Sequence, residues 1–330
     1  MIHGAPVGGG VATVVESLTA GLRQSGCHVS HSSSSPAEWK TLLAAVRQSN
    51  VMLATHNFRP AYVAWALGVL LRKPVVVWFH GPLSEVLAQA GTSRSKRQWL
   101  RWLYRRAIHL VFVSHSSKRS FDLFMEGLPM QRESEAVIVN ALLPRPETAP
   151  PSPRDDGTVH VGYVGRLSPE KNPHLLIEMM RSLPARFRLT LLGDGPLRGE
   201  LEDASYDLAQ AGRIRFLGYQ QDSAAFYATQ DLTVLTSLYE GCPMAMLESL
   251  QAGVPCVGVP IPSLQEMTQE HAPYLLAKDN TASALADAVF ATLNYPSEQR
   301  TLDLQQILIG YRHADFVLRW HQLLVNAAAC

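Results

Sequence analysis

The feature that most constrains this chain is a rhythm that runs twice. Short apolar runs alternate with segments whose apolar residues recur at helical spacing, first up to residue 139 and again from residue 159 onward. Such alternation calls for a parallel sheet covered by helices, because parallel neighbours must be joined by a crossover. Residues 51–54, 75–79, 110–113 and 136–139 read as strands of a first sheet. Residues 159–164, 189–192, 214–217, 232–235 and 256–259 read as strands of a second. Between them Pro144, Pro146, Pro150, Pro151 and Pro153 mark an extended linker. At 330 residues, two domains are expected. We place them at 1–146 and 158–306, with the linker at 147–157 and a last helix, 307–330, docking at a domain interface.

Helices are expected at 11–23, 38–49, 61–71, 93–110 and 116–125 in the first half. In the second they are expected at 174–183, from 197, at 223–229, within 237–255, and at 281–293 and 304–325. The serines at 32–35 read as a surface loop, and 260–266, with two prolines, as another loop. Only residues 1–3 are available as a strand before the glycines at 8–10, so either the first strand is clipped or the true start lies upstream.

A hydrophobic share of 47% with 17% charged residues describes a well-buried globular protein. The longest nearly apolar run, 61–71, is too short to span a bilayer. No secretory signal follows Met1. The four cysteines show no CxxC spacing, which argues against a zinc site or a disulfide framework and for a reducing cytosol. The net charge of +1 hides an asymmetry. Residues 1–150 hold 16 Lys and Arg against 8 Asp and Glu, and residues 151–330 hold 13 against 20. The first half therefore favours an anionic partner.

In open parallel sheets ligands bind at the C-terminal ends of the strands, so the loops there carry the candidate chemistry. Glu240 falls in the loop after strand 232–235, with Pro243 suited to the first turn of the helix that follows and Glu248 more than a turn inside it. A helix start at that rim is an anion site, because unpaired N–H groups and the helix dipole point at the ligand. Phosphate at the helix start and hydroxyl groups at the two glutamates is one reading; a capping acid and a solvent-exposed acid is the other. Arg166 and Lys171 share the loop after strand 159–164. Together they can neutralise a diphosphate, or form surface ion pairs. Gly8, Gly9 and Gly10 let a backbone approach a phosphate, or simply make a tight turn. His80 ends strand 75–79, at the rim, as a substrate ligand or a structural histidine.

Residues 93–110 are the most basic part of the chain, with Arg94, Lys96, Arg97, Arg101, Arg105 and Arg106 interleaved with Trp99, Leu100, Trp102, Leu103 and Tyr104. As a helix this fits an anionic membrane surface, or an aromatic face packed on the sheet with a solvated basic side. Nucleic acid is not expected, since no recognition motif accompanies the patch.

Five motifs stand in order: Gly165-Arg166 through Lys171; Gly193-Asp194-Gly195-Pro196; Phe216-Leu217-Gly218; Ser237 to Glu248 with Glu-x7-Glu spacing; and Ala252-Gly253-Val254-Pro255. In this the second half resembles the group 1 (family 4) retaining glycosyltransferases of the GT-B type. That architecture is α/β, with two Rossmann-like doubly wound domains facing an interdomain cleft. The resemblance implies sugar transfer from a nucleotide-sugar donor without a metal, in keeping with the absence of an Asp-x-Asp triplet. It implies Arg166 and Lys171 as the diphosphate pair, Glu248 on the ribose hydroxyls, and Glu240 and His80 toward the donor sugar. Gly9 and Gly10 fall near the diphosphate, and Met244 and Ala245 join the nucleotide-sugar site. No cofactor is implied; the donor is a UDP- or GDP-sugar. With the basic first half, the expected acceptor is a glycan or a lipid-diphosphate-linked sugar of bacterial surface polysaccharide assembly, and the protein is expected to be cytoplasmic or peripheral at the inner membrane face. Cys242-Pro243-Met244 stands where many members carry an aromatic and another glycine, so donor identity does not carry over. A GT-B nucleotide-sugar epimerase and a non-catalytic nucleotide-sugar binder are the alternatives.

Overall fold

A computed structural model describes residues 1–4, 10–106, 109–126, 134–143 and 157–329. Gly9 and nearly all of the 147–157 linker lie outside the described residues. The chain divides into two compact units: residues 1–143 with 311–330, and residues 144–310.

The first unit runs β1 (Ile2–His3), α1 (Gly10–Gln24), β2 (Ser32–Ser33), α2 (Trp39–Gln48), β3 (Met52–Ala54), α3 (Arg59–Leu71), β4 (Val75–Phe79), α4 (Leu83–Gln89), α5 (Arg94–Tyr104), β5 (His109–Phe112), α6 (His115–Phe124) and β6 (Ser134–Val137). The strands form a parallel sheet in the order β2-β1-β3-β4-β5-β6. Ile2–His3 is a paired strand, with Ile2 opposite both Ser32 and Ala54. The loop expected at 32–35 is corrected in part: Ser32–Ser33 pairs with β1 as the edge strand. Two serines carry no apolar signal, so only the tertiary pairing makes them a strand. The helix expected over 93–110 ends at Tyr104, and Leu110 belongs to β5. Ser93 caps α5, its hydroxyl accepting from the Lys96 amide at 3.3 Å. Helix α4 was not expected, and follows Pro82 directly.

All five residues of β4 are buried, as a central parallel strand requires. Its alternating side chains supply two cores. Phe79 packs on Tyr104, Phe112 and Phe121 at ring separations of 5.2, 5.0 and 5.1 Å, beneath α5 and α6. Trp78 points the other way.

The second unit runs β7 (Val159–Val164), α7 (His174–Ser182), β8 (Phe187–Leu192), α8 (Arg198–Ala204), α9 (Tyr206–Gln210), β9 (Ile214–Gly218), α10 (Ala224–Tyr227), β10 (Leu232–Leu235), α11 (Met244–Gln251), β11 (Cys256–Gly258), α12 (Pro262–Thr268), α13 (Ala282–Asn294) and α14 (Ser297–Ile309). The sheet is again parallel, ordered β11-β10-β7-β8-β9. Strand β7 lies at its centre, with six residues in register with β8. The loop expected at 260–266 is overturned by α12, which begins at Pro262. Proline is suited to a first helical position, where its missing N–H costs nothing.

The chain then returns to the first unit as α15 (His313–Ala329), which packs on α1 and β4. Trp78 meets Trp320 at 4.6 Å and Phe316 at 6.2 Å there. The single helix expected over 304–325 is therefore two. The break falls at Gly310, a poor helix former, and the two pieces belong to different units.

Candidate active site

From β7 the second sheet grows outward to β8 and β9, then returns to the other side of β7 with β10 and β11. Loops leaving β7 and β10 thus diverge and open a crevice at the strands' C-terminal ends. Those two loops carry Arg166, Lys171 and Glu240.

Backbone and hydroxyl hydrogen bonds stitch the loops together. The Leu238 amide donates to the Glu170 carbonyl at 2.9 Å, and the Thr236 hydroxyl to the Lys171 carbonyl at 2.8 Å. Lys171 Nζ is ion-paired with Glu240 Oε1, which also accepts from the Ser237 hydroxyl at 2.7 Å. The side chains of the pair are 27% and 14% exposed, so water screens them less than a surface pair. Arg166 is exposed and makes no ion pair among the described residues. Its carbonyl accepts from the Tyr163 hydroxyl at 3.1 Å. Burial, with the carboxylates of Glu240 and Glu170 nearby, pushes the Tyr163 phenol well above its ordinary range, so it remains a neutral donor.

On the other flank the β7 loop is held by the loop after β8. The Leu167 amide donates to the Asp194 carbonyl, and the Leu197 amide to the Leu167 carbonyl, both at 3.0 Å. Gly193 makes this approach possible: at φ +141 a Cβ there would fall 1.9 Å from the Gly165 carbonyl oxygen. Asp194 accepts from the Gly195 amide at 2.7 Å and from Arg198 at 3.0 Å, and these two bonds lower its pKa.

Pro243 stands just before α11, at its N-cap rather than in its first turn. Met244 and Ala245 open the helix, half-buried, and no acid occupies its first turn to compete for an anion. Glu248 lies one turn further on. Its Oε2 accepts from the Ser223 and Tyr227 hydroxyls, each at 3.0 Å. Its Oε1 accepts nothing among the described residues, which leaves one carboxylate oxygen oriented and open.

Of the first unit's candidates, Gly10 begins α1, and His80 follows β4 directly. The His80 ring lies 4.4 Å from Trp78 and 5.4 Å from His56. Burial, with His56 beside it, pushes its pKa down to about 3, so it is a neutral imidazole at physiological pH. Thr55 Oγ1 links His56 Nδ1 at 3.4 Å to His3 Nδ1 at 3.2 Å, and His3 Nε2 meets His31 Nδ1 at 2.6 Å.

Sequence reasoning missed the residues that hold the named ones: Ser223 and Tyr227 behind Glu248, Tyr163 under Arg166, and the Thr55 hub between His3 and His56. Only Ser237, three residues before Glu240, had a local signal. Among the described residues no group of three His, Cys, Asp or Glu side chains is arranged to hold a metal ion.

Residues 144–304 match the family model described as Glycosyl transferases group 1. The lipopolysaccharide core biosynthesis glycosyltransferase LpsE of Rhizobium meliloti (strain 1021) is 40% identical over 94 residues, 28% of this chain and 27% of that protein. A GDP-mannose-dependent alpha-mannosyltransferase of Mycobacterium tuberculosis (strain CDC 1551 / Oshkosh) is 29% identical over 223 residues, 66% of this chain and 57% of that one. The matches thus span less than two thirds of these curated relatives' own length. Among solved structures, Anabaena Alr3699/HepE in complex with UDP-glucose superposes with a TM-score of 0.80 at 18% identity, over 98% of this chain and 99% of that one. Two parallel Rossmann-like sheets and this superposition give the chain a GT-B-type α/β fold, and residues 144–304, nearly all of its second unit, are similar to the group 1 glycosyl transferases.

Proposed function

We propose that the protein transfers a sugar from a UDP- or GDP-sugar to a glycan or lipid-diphosphate-linked acceptor, with retention of anomeric configuration, in bacterial surface polysaccharide assembly. The observation that carries this reading is the stitched pair of loops at the switch point of the second sheet. Those loops carry Arg166, Lys171 and Glu240 and lead into α11, whose Glu248 is held separately, and this supports a donor site there.

Breaking the bond from sugar C1 to phosphate builds negative charge on the leaving diphosphate. Arg166, Lys171 and the first turn of α11 at Met244 and Ala245 stabilise that charge, and their preorganisation removes the cost of gathering them during reaction. Glu248 takes the ribose hydroxyls on Oε1, while Ser223 and Tyr227 hold its other oxygen. Glu240 serves the sugar side and is oriented by Ser237 and Lys171. His80, neutral at physiological pH, serves the donor sugar as a hydrogen-bonding group rather than a cation. Gly10, with Gly9 before it, is assigned to the approach of the diphosphate. The domain roles follow: acceptor in the first unit, donor in the second.

LpsE is named for lipopolysaccharide core biosynthesis, which supports an envelope glycan as the product. A lipid-linked acceptor places the enzyme at a membrane, where the basic segment 93–110 would hold it peripherally.

A panel of UDP- and GDP-sugars screened by melting temperature, followed by incubation of the stabilising donor with and without glycan or lipid-linked acceptors, tests the reading. Transfer dependent on acceptor and retaining configuration is expected. Epimerised donor in the absence of acceptor would assign an epimerase instead, and binding with neither transfer nor hydrolysis a non-catalytic binder.

A further inference from the structure

Between Glu38 and Asp122 the chain contains one acid, Glu85, and thirteen Lys and Arg. These residues build α2 to α6. Helices α3, α5 and α6 share a core with one set of alternating β4 side chains, Val75, Val77 and Phe79, on the face opposite α15. Glu85 accepts from the Ser120 hydroxyl. The charge asymmetry of the first half is therefore concentrated in one helical layer.

Two helices of that layer are joined by an aromatic ladder. Tyr62 of α3 meets Trp99 of α5 edge-on at 4.6 Å, and Trp65 meets Trp102 at 5.2 Å. The same three-residue step on each helix means that α3 and α5 lie side by side and run the same way. Even after these contacts Trp99 is 43% and Trp102 40% exposed. Further along α3, Val69 and Leu70 are 64% and 73% exposed, and exposed Arg72 follows. Arg106 lies over the Trp102 ring at 4.3 Å, and Arg94 and Lys96 are exposed at the start of α5. The inward side of α5 is filled by Leu100, Leu103 and Tyr104.

We infer that α3 and α5 together form a docking face for a bilayer containing anionic phospholipid. The proposal goes beyond the basic segment alone, and it deepens the acceptor side of the proposed function. Tryptophan and aliphatic side chains among cations suit the headgroup boundary, where the rings partition and the cations meet phosphate. Glu85 is engaged by Ser120, and Asp122 of α6 by Lys118, while α3 and α5 themselves carry no acid, so the electrostatic term adds over several cations. No described helix is long and apolar enough to cross a membrane, so the contact of these two helices is from one side. Nucleic acid fits less well: Trp99 and Trp102 are engaged edge-on with α3, and Val69 and Leu70 offer no stacking plane.

The test is flotation of the whole protein with vesicles of phosphatidylcholine alone and of phosphatidylcholine mixed with phosphatidylglycerol, at low and high salt. Binding to the mixed vesicles only, with a blue shift of tryptophan emission, is expected. The Arg94→Gln/Lys96→Gln variant should lose about tenfold or more in vesicle affinity. The Val69→Ser/Leu70→Ser variant should lose the fraction that survives high salt. Both should keep the wild-type melting shift with UDP or GDP, which separates failure of docking from failure of the donor reading. Equal binding to both vesicle types, no binding, wild-type binding by both variants, or displacement of the vesicles by single-stranded oligonucleotide would overturn the proposal.

Discussion

Lys171 and Glu240 stand 69 residues apart on two loops, yet form an ion pair at the crevice. In the proposed mechanism Lys171 must serve a diphosphate while still facing Glu240, so the two acceptors compete for one ammonium. Glu240→Gln removes the competing charge but keeps a group of the same shape. Nucleoside diphosphate affinity should then rise about fivefold, on the order of 1 kcal/mol, while transfer slows by at least tenfold. Calorimetry with UDP and GDP beside a turnover assay reads both. The two effects should move in opposite directions; a joint loss would mean that Glu240 acts mainly by holding Lys171. That such a pair exists was not visible in the sequence. Spacing marked Glu240 and Glu248 as a set, but only the fold brings Lys171 and Ser237 onto one of them and Ser223 and Tyr227 onto the other.

At the scale of elements, the clearest constraint is the seam between α1 and α15. A Cβ on Gly21 would lie 2.2 Å from Val317 Cγ2, so the two helices approach as closely as the missing side chain allows. Gly21→Ala should destabilise the protein by about 1–3 kcal/mol despite the better helix propensity of alanine. Adding Val317→Ala should recover most of that loss, because the stiff valine is what the new methyl meets. Urea unfolding of the single and double variants measures the coupling; additive effects would place the strain elsewhere. Strands such as β4 and β7 were legible because a buried parallel strand is a continuous apolar run between helical patterns. Edge strand β2 was not, since its two serines become a strand only by pairing with β1. Pro262 misled in the opposite direction, as a residue that starts α12 rather than one that breaks a pattern.

Across the whole molecule the two units differ in charge, in titration and in spectroscopic signal. All six tryptophans lie in the first unit, so their emission reports on it alone. Its sheet rim holds His80 and His3 with pKa values lowered to about 3 and about 4, by burial first and by neighbouring histidines next. Each is lower in the folded than in the unfolded chain, where about 6.5 applies. The unfolded state then binds more protons through that window, and stability rises with pH across it. The contribution is complete above about pH 6.5 and is lost as pH falls toward 4 and 3. Tryptophan-detected melting should therefore fall steadily from pH 7 to pH 4.5. The His3→Gln variant should flatten the slope, and an unchanged slope would assign the acid loss to other groups. The double Rossmann organisation was readable because the rhythm of strands and helices restarts after the proline-rich stretch. The return of the chain to the first unit at α15 was not, because the same apolar periodicity continues through Gly310.

In the proposed function the crevice between β7 and β10 holds a nucleoside diphosphate through Arg166 and Glu248. Isothermal titration of UDP and GDP into the wild type, Arg166→Ala and Glu248→Ala tests it most directly. One nucleotide should bind the wild type preferentially. Each variant should weaken it about tenfold or more, as expected for loss of a charge-assisted hydrogen bond worth about 1.5–3 kcal/mol. Wild-type affinity in both variants, or no binding of either nucleotide to the wild type, would contradict the account.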